Sequence, residues 1–290
     1  MLKTEEFQAM CSQGPIILDG ATGSNLRKAG MPNACCTEEW VLSHPDILQQ
    51  LQRDYAAAGS QIIYAPTFQA QPIPLKRFGI TESAESINEK LVALSKEAAP
   101  NCLIAGDLTT LSGFLDSWDP DNFDLLVDNY SKQIRGLISG GADLLVAETL
   151  VYEQEAEAIL VAAELAGAET VMYSFTMQSG GYLYNGQDAG PILKNLENLG
   201  AAAVGFNCVA ADMMTPYLVN RLRAFLSGPM ICKPNAGNPI IDQNGIAQYD
   251  LTVSEYGNVM HDCCQNGASL LGGCCGTTPA HIAQIVKTLK

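Results

Sequence analysis

Ten cysteines give this 290-residue chain its most reactive side chains, and six of them form three adjacent pairs. One pair, Cys274-Cys275, lies within a Gly-Gly-Cys-Cys-Gly-Thr-Thr-Pro stretch that runs from Gly272 to Pro279. On a regular strand, neighbouring side chains point to opposite faces and cannot address one point. Glycines on both sides let the backbone leave strand geometry, so the two thiols can converge.

A further thiol, Cys208, ends a predicted strand two strands earlier in the chain. Three thiolates from two loops are typical of a Zn²⁺ site with three protein ligands, whose open fourth position marks a catalytic zinc. The alternative is that these thiols are small core residues. The three histidines add no His-Glu-x-x-His motif, and neither a Gly-x-Ser-x-Gly turn nor a phosphate-binding loop occurs, so a serine or cysteine triad is unsupported.

Short apolar runs alternate with helical stretches along the whole chain, a pattern typical of parallel strands that are buried on both faces. The predicted strands are Ile16–Asp19, Gln61–Ala65, Cys102–Asp107, Leu144–Glu148, Thr170–Phe175, Ala202–Asn207, Met230–Pro234 and Ser269–Gly273. The predicted helices between them include Pro45–Gly59, Thr81–Ala99, Phe123–Gly140, Glu153–Ala166, Thr215–Leu226 and Thr252–Asn266.

Eight strands with helices between them and no linker predict one α/β domain over residues 1–290, a (β/α)8 TIM barrel. A doubly wound open sheet is the alternative, but the Gly-x-Gly-x-x-Gly turn that this fold usually has after its first strand is missing. Pro239, Asn244 and Gly245 within the segment Gly237–Asp250 indicate a loop or hairpin inserted after strand seven.

Polar residues end most of the predicted strands, and catalytic groups of such barrels come from the carboxyl ends of the strands. The set comprises Asp19, Thr67, Asp107, Glu148, Asn207 with Cys208, Asn235, and Cys274 with Cys275. Ordinary loop polarity is the alternative explanation for any single member. The set as a whole predicts an active site on this rim.

Composition limits the partners. Sixteen Lys and Arg against 31 Asp and Glu give a formal charge of −15, which disfavours nucleic acid and anionic membrane surfaces. No apolar run approaches the length of a membrane span, and the first residues show no secretory signal. A chain of this size does not need disulfides, so we expect free or metal-bound thiols in a cytoplasmic protein.

Six segments, in this order, resemble the homocysteine S-methyltransferase family, which includes the betaine-dependent and sulfonium-dependent enzymes and the homocysteine-binding module of cobalamin-dependent methionine synthase. The segments are Asp19–Gly23, Pro66–Phe68, Glu148-Thr149, Gly205–Cys208, Lys233–Gly237 and Gly272–Pro279. The resemblance extends from about Pro15 to Lys290. The chain differs from the family pattern at Gln52, at Pro66 and over Leu108–Thr110.

The resemblance implies a zinc-dependent transfer of a methyl group to homocysteine, giving methionine. It implies that Cys208, Cys274 and Cys275 bind the zinc and that Asn235 lies near its open position. The residues that it implies for the acceptor are Asp19, Gly20, Ala21, Thr22, Glu148 and Asn207.

Three alternatives for the methyl donor follow from the chemistry, because a methyl group leaves only from an activated carrier. Betaine recognition usually needs an aromatic cage, and the chain has only two tryptophans. No Asp-x-His-x-x-Gly segment, typical of a corrinoid module, is present, and little sequence follows Pro279. We therefore expect a methylcorrinoid on a separate protein, with S-methylmethionine or S-adenosylmethionine as the second choice.

Two other functions are alternatives to methyl transfer by this protein. One is a non-catalytic zinc- or thiol-binding barrel that acts as a methyl-transfer partner. The other is a lyase or aldolase with Glu148 or Asp107 as base.

Overall fold

Eight parallel strands close into a barrel in the computed structural model, which describes residues 1–241 and 247–290. The barrel strands are β1 (Ile16–Ile17), β2 (Ile62–Tyr64), β3 (Leu103–Thr109), β4 (Leu144–Leu150), β5 (Val171–Phe175), β6 (Ala203–Ala210), β7 (Met230–Asn235) and β10 (Leu270–Leu271). Their order is β1-β10-β7-β6-β5-β4-β3-β2, and a parallel bridge from Leu18 to Ile62 joins β1 to β2. The predicted TIM barrel is therefore confirmed.

Helices cover the outside of the barrel. They are α1 (Thr4–Cys11), α2 (Gly23–Lys28), α3 (Thr37–Ser43), α4 (Pro45–Ala58), α5 (Pro72–Arg77), α6 (Ala84–Ala98), α7 (Phe123–Ser139), α8 (Glu153–Ala166), α9 (Ala189–Asn198), α10 (Thr215–Arg223), α11 (Val253–Gln265) and α12 (Pro279–Thr288). All six helices predicted by name are present. The shorter α1, α2, α3 and α5 were not predicted, because six to eight residues show too few turns of amphipathic periodicity to be distinguished from loop.

Local sequence sets the boundaries of the longer helices. Helix α4 begins with Pro45 in its first turn and ends at Gly59, whose φ of 108° is readily adopted by glycine. Helix α11 begins with a capping box, in which Thr252 and Glu255 each satisfy a backbone N–H of the other. Among the described residues, no helix is both long and apolar enough to cross a membrane.

Two apolar layers hold the barrel together. Inward-facing side chains such as Leu18, Ile62, Val146, Met172 and Leu270 fill its interior, and Phe7 of α1 packs against them. A larger cluster lies between the strands and the helices. Interior residues alternate with exterior ones along each strand. Beyond these apolar side chains, the next inward-facing residues near the carboxyl ends of the strands therefore belong to the site and not to the barrel core.

The segment after β7 forms a hairpin, as predicted from its turn residues. Strands β8 (Pro239–Ile241) and β9 (Ala247–Tyr249) pair antiparallel, with Pro239 opposite Tyr249. Asn244 and Gly245, which contributed to that prediction, lie outside the described residues. The hairpin lies on the rim formed by the carboxyl ends of the strands, next to the loop after β10, where Tyr249 would overlap any Cβ atom placed on Gly276.

Gly205 provides a test of how closely β6 and β7 approach. A Cβ atom at this position would overlap the carbonyl oxygen of Ile231 on the neighbouring strand. We expect Gly205→Ala to lower the free energy of unfolding by roughly 1–3 kcal/mol, the usual cost of forcing an extra methyl group into a packed core. Urea denaturation measures it. Gly113→Ala is the matched control, because that exposed glycine has nothing within 4 Å of the added atom. Equal stability of the two variants would contradict this account.

Candidate metal centre and its charged floor

Three thiols meet at the rim. The Sγ atom of Cys208 lies 3.0 Å from that of Cys274 and 3.8 Å from that of Cys275. All three sulfur atoms lie within 4.8 Å of one another, and among the described residues this is the group of three or more Cys, His, Asp or Glu side chains whose geometry could hold a metal ion. The structure thus brings together the three residues predicted as metal ligands.

Backbone distortion turns Cys208 towards the other two thiols. Its φ is 56°, in the left-handed region that few non-glycine residues adopt, and the pairing of β6 with β7 shifts register between Asn207 and Ala210. Such a bulge re-aims a side chain at the end of a strand. Backbone strain at a position like this is common at functional sites.

Glycines place the other two thiols, as the sequence predicted. Strand β10 ends at Leu271, before the two cysteines. A Cβ atom at Gly273 would lie 2.5 Å from the Thr277 side chain, and Gly276 has a φ of 82°. The N–H of Cys274 donates to the carbonyl of Pro234 at 2.7 Å, which fixes the loop against the end of β7.

Asn207 supports the thiols from below. Its Oδ1 accepts hydrogen bonds from the N–H of Thr149 at 2.8 Å and from the hydroxyl of Ser174 at 2.9 Å. Its Nδ2 donates to the Thr149 hydroxyl at 2.7 Å and lies 3.8 Å from Sγ of Cys274. Thr149 has a φ of 59° beside a second register shift, in β4. Asn207 is fully buried, so the structure places it where it fixes both distorted segments.

The three thiols do not share protons equally. Hydrogen bonds from Cys208 and then Cys274 lower the pKa of Cys275 to about 3, against the opposing effect of burial. Donating these hydrogen bonds raises the pKa of Cys208 well above its usual value. The phenol of Tyr249 is within hydrogen-bonding reach of Cys275 and also lowers that pKa. Cys275 is therefore the most acidic of the three thiols.

A cavity of about 920 Å³ opens above the thiols. Cys208, Cys274 and Cys275 line it, together with Tyr249 from the hairpin. Gly20, Ala21 and Thr22 also line it. The volume is sufficient for a small molecule next to the sulfur atoms.

Charged side chains form the floor of this cavity. Asp107, Glu148 and Lys233 occupy the inward positions that follow the apolar residues Ala105, Val146 and Ile231 on β3, β4 and β7. The Nζ atom of Lys233 lies 3.3 Å from Oδ1 of Asp19 and 3.5 Å from Oε2 of Glu148. It also lies 4.1 Å from the centre of the Tyr64 ring. We call Asp19, Asp107, Glu148 and Lys233 the charged floor.

Burial governs the protonation of the floor. It raises the pKa of Glu148 to about 7, although Lys233 acts in the opposite direction. It also raises the pKa of Asp19, again against Lys233. The pKa of Asp107 is raised well above its usual value by burial and then by the negative charge of Glu148. Burial thus favours the neutral form of each of these three acids, and Lys233 favours the ionised form.

The turn after Asp19 is held by hydrogen bonds to neighbouring segments. The N–H of Ala21 donates to the Thr277 hydroxyl at 3.0 Å, and its carbonyl accepts from the Tyr55 hydroxyl at 2.8 Å. A Cβ atom at Gly20 would lie 2.6 Å from that hydroxyl, so only glycine fits. The N–H of Ala21 is therefore already used within the protein.

Asn235 lies at the end of β7. Its carbonyl accepts from the N–H groups of Ala211 and Gly237, and the following N–H, of Ala236, donates to the carbonyl of Cys275 at 2.9 Å. Within the described part of the chain its Oδ1 has no hydrogen-bond partner, although it is buried. A buried amide oxygen without a partner next to the thiol loop is compatible with a ligand nearby.

Two residues of the site were not predicted. Lys233 was noted only as part of a family motif, although a lysine inside an apolar strand is itself an unusual signal. Tyr249 lies in the inserted hairpin, and its contact with Cys275 depends on how that hairpin folds back. Its spacing from the cysteines gives no hint of the contact.

The sequence was compared with models of known protein families. Residues 16–289 match the family model described as homocysteine S-methyltransferase. The chain belongs to the homocysteine S-methyltransferase family. The resemblance noted in the sequence is therefore confirmed.

The relatives of this chain differ in length. Methionine synthase of Mycobacterium tuberculosis is 26% identical over 96% of the chain, which spans only 25% of that protein. The homocysteine methyltransferase MmuM of Escherichia coli has the same fold. Its oxidised form has a TM-score of 0.81 at 23% identity, covering 97% of this chain and 98% of that one. Its metallated form has a TM-score of 0.80 at 24% identity, covering 96% and 97%.

Proposed function

We propose that this protein is a zinc-dependent thiol methyltransferase that transfers a methyl group to homocysteine and so forms methionine. The observation that carries the proposal is the group of three converging thiols on the wall of a cavity with a charged floor. Membership of the homocysteine S-methyltransferase family supports the choice of acceptor.

The donor set fits zinc. Thiolates bound to one tetrahedral Zn²⁺ at about 2.3 Å are about 3.8 Å apart. Cys208 and Cys275 already have this separation, at 3.8 Å, while Cys208 and Cys274, at 3.0 Å, need to move apart slightly. Three protein ligands leave a fourth position open. When bound, zinc ionises a thiol that coordinates it, and three cysteinates keep the sulfur electron-rich.

The chain's own residues orient the acceptor. Glu148 provides a carboxylate for the acceptor's ammonium group, and the turn from Gly20 to Thr22, after Asp19, lies on the wall where the acceptor's carboxylate would rest. Asn207 fixes Thr149 and Cys274 relative to each other, and Asn235 offers its unpartnered amide oxygen near the thiols. Holding the acceptor in one orientation aligns its sulfur with the methyl group of the donor. Methyl transfer then proceeds as if within one molecule, which lowers its entropic cost.

The methyl transfer itself is a displacement at carbon. The acceptor's thiol loses its proton, its sulfur forms the new bond to the methyl carbon, and the carrier leaves with the electron pair of the bond that breaks. A thiolate is needed because a free thiol with a pKa near 8.5 is mostly protonated at neutral pH.

We propose a methylcorrinoid on a separate protein as the donor, docking on the rim above the cavity. Similarity to methionine synthase supports this choice. S-Methylmethionine or S-adenosylmethionine is the second choice, because a sulfonium is also an activated carrier from which a methyl group can leave.

Cys275→Ala is expected to abolish stoichiometric zinc binding and methyl transfer, because two thiolates leave the metal with too few ligands. The barrel should remain folded, since Cys275 lies on the cavity wall and outside the strands. Metal analysis and circular dichroism measure the two effects. Cys102→Ala is the matched control: its half-buried thiol contacts the Ser60 carbonyl at the opposite end of the barrel and should not affect zinc. Full activity of Cys275→Ala would refute the assignment.

A donor panel tests the proposed carrier. Zinc-loaded protein is incubated with homocysteine and, separately, methylcobalamin, S-methylmethionine or S-adenosylmethionine, and methionine is quantified. We expect methionine from methylcobalamin at high concentration, because the free cofactor substitutes weakly for a corrinoid protein. Turnover with a sulfonium alone would overturn the corrinoid choice and leave the zinc proposal intact.

A further inference from the structure

The charged floor contains three carboxyl groups and one ammonium group. Asp19, Asp107, Glu148 and Lys233 are 1%, 4%, 8% and 3% exposed. Within the described chain, Lys233 is the basic side chain that forms ion pairs with members of this set. Because a buried carboxylate is costly without a partner, a further cation in the cavity would stabilise the ionised form of these acids.

Lys233 is already committed to two of the three acids. It lies 3.3 Å from Asp19 and 3.5 Å from Glu148, and its position over the Tyr64 ring fixes the ammonium between them. The other oxygen of Asp19 accepts the N–H of Tyr64 at 2.9 Å. Asp107, Glu148 and Lys233 line the cavity, but Asp19 is not among the lining residues that the structure describes. Asp19 is therefore paired with Lys233 and does not line the cavity.

Asp107 is the acid that lacks a partner. Its backbone is fixed, since its N–H donates to the Thr67 hydroxyl oxygen at 3.0 Å. Its carbonyl accepts hydrogen bonds from that hydroxyl and from the side-chain amide of Gln133. Its Oδ1 has no hydrogen-bond partner among the described residues. Strands β3 and β4 are neighbours, with Thr109 opposite Glu148, so Asp107 lies two residues below the level of Glu148.

We infer that Lys233 acts as an internal cation that occupies Asp19, so that Asp107 together with Glu148 receives the amino group of the acceptor. Lys233 is then a specificity-determining residue: it moves the ammonium-binding position from the Asp19 side of the floor to the Asp107 side. This inference rests on the proposed function in one respect, because it takes an amino-acid thiol as the acceptor.

The opposite outcome is equally definite. If Lys233 replaces the acceptor's ammonium altogether, the site prefers a thiol that has the carboxylate and no amino group. L-Homocysteine and 4-mercaptobutanoate differ by that amino group alone, so the pair of thiols separates the two cases.

Isothermal titration of zinc-loaded protein with each thiol, without a methyl donor, tests the inference. We expect the wild type to bind homocysteine more tightly than 4-mercaptobutanoate. Asp107→Asn, which keeps the side-chain shape, should weaken homocysteine binding about tenfold or more, since truncating one partner of a buried charge pair is costly. Binding of 4-mercaptobutanoate should change by less than about twofold on the same argument.

Asp128→Asn, on the exposed side of α7 beside Lys132, is the matched control and should bind both thiols as the wild type does. Equal weakening of both thiols in Asp107→Asn, or no preference for homocysteine in the wild type, overturns the inference. This binding test contains no methyl donor, so it is independent of the methyl-transfer proposal. If homocysteine is preferred in an Asp107-dependent way but no donor yields methionine, this inference stands and the methyl-transfer proposal is refuted.

Discussion

The alternation of side chains along a strand is the constraint on which this site depends. Neighbouring residues of a strand face opposite sides, so a barrel built only of regular strands could not aim Cys274 and Cys275 at one point, nor bring Cys208 to meet them. The chain departs from regular geometry at both places. Cys208 adopts a left-handed conformation in a bulge of β6, and the Gly272–Gly276 segment leaves β10 before the cysteines. The thiols converge because the strands end irregularly at this rim.

The same alternation produces the charged floor. One inward residue further along β3, β4 and β7, the apolar core is replaced by Asp107, Glu148 and Lys233. Below that level the barrel is packed with aliphatic side chains, and above it lies the cavity. This sharp change places an acidic, buried surface in the same cavity as the sulfur atoms. An amino-acid thiol that spans the two would be held at both ends, by charge at one and by metal at the other.

Much of this architecture is predictable from the sequence. The eight strands, the main helices, the hairpin after β7 and the convergence of the three thiols follow from short apolar runs, turn residues and cysteine spacing. The pairing within the floor is not predictable in this way, because the Lys233 contacts to Asp19 and Glu148 join residues separated by 214 and 85 positions. The left-handed conformations of Thr149 and Cys208 are equally hidden, since neither is a glycine. The position of Asn207 at the end of a strand is predictable, but its hydrogen bonds to Thr149 and its contact with Cys274 appear only in three dimensions.

The central claim is that the three thiols hold a zinc whose open position receives the acceptor's sulfur. Its most direct test is zinc K-edge X-ray absorption, measured before and after homocysteine is added. The account predicts three sulfur neighbours and one lighter atom in the protein alone, and four sulfur neighbours with homocysteine present. A coordination shell that already has four protein ligands, or one that still shows three sulfurs when homocysteine is bound, would contradict it.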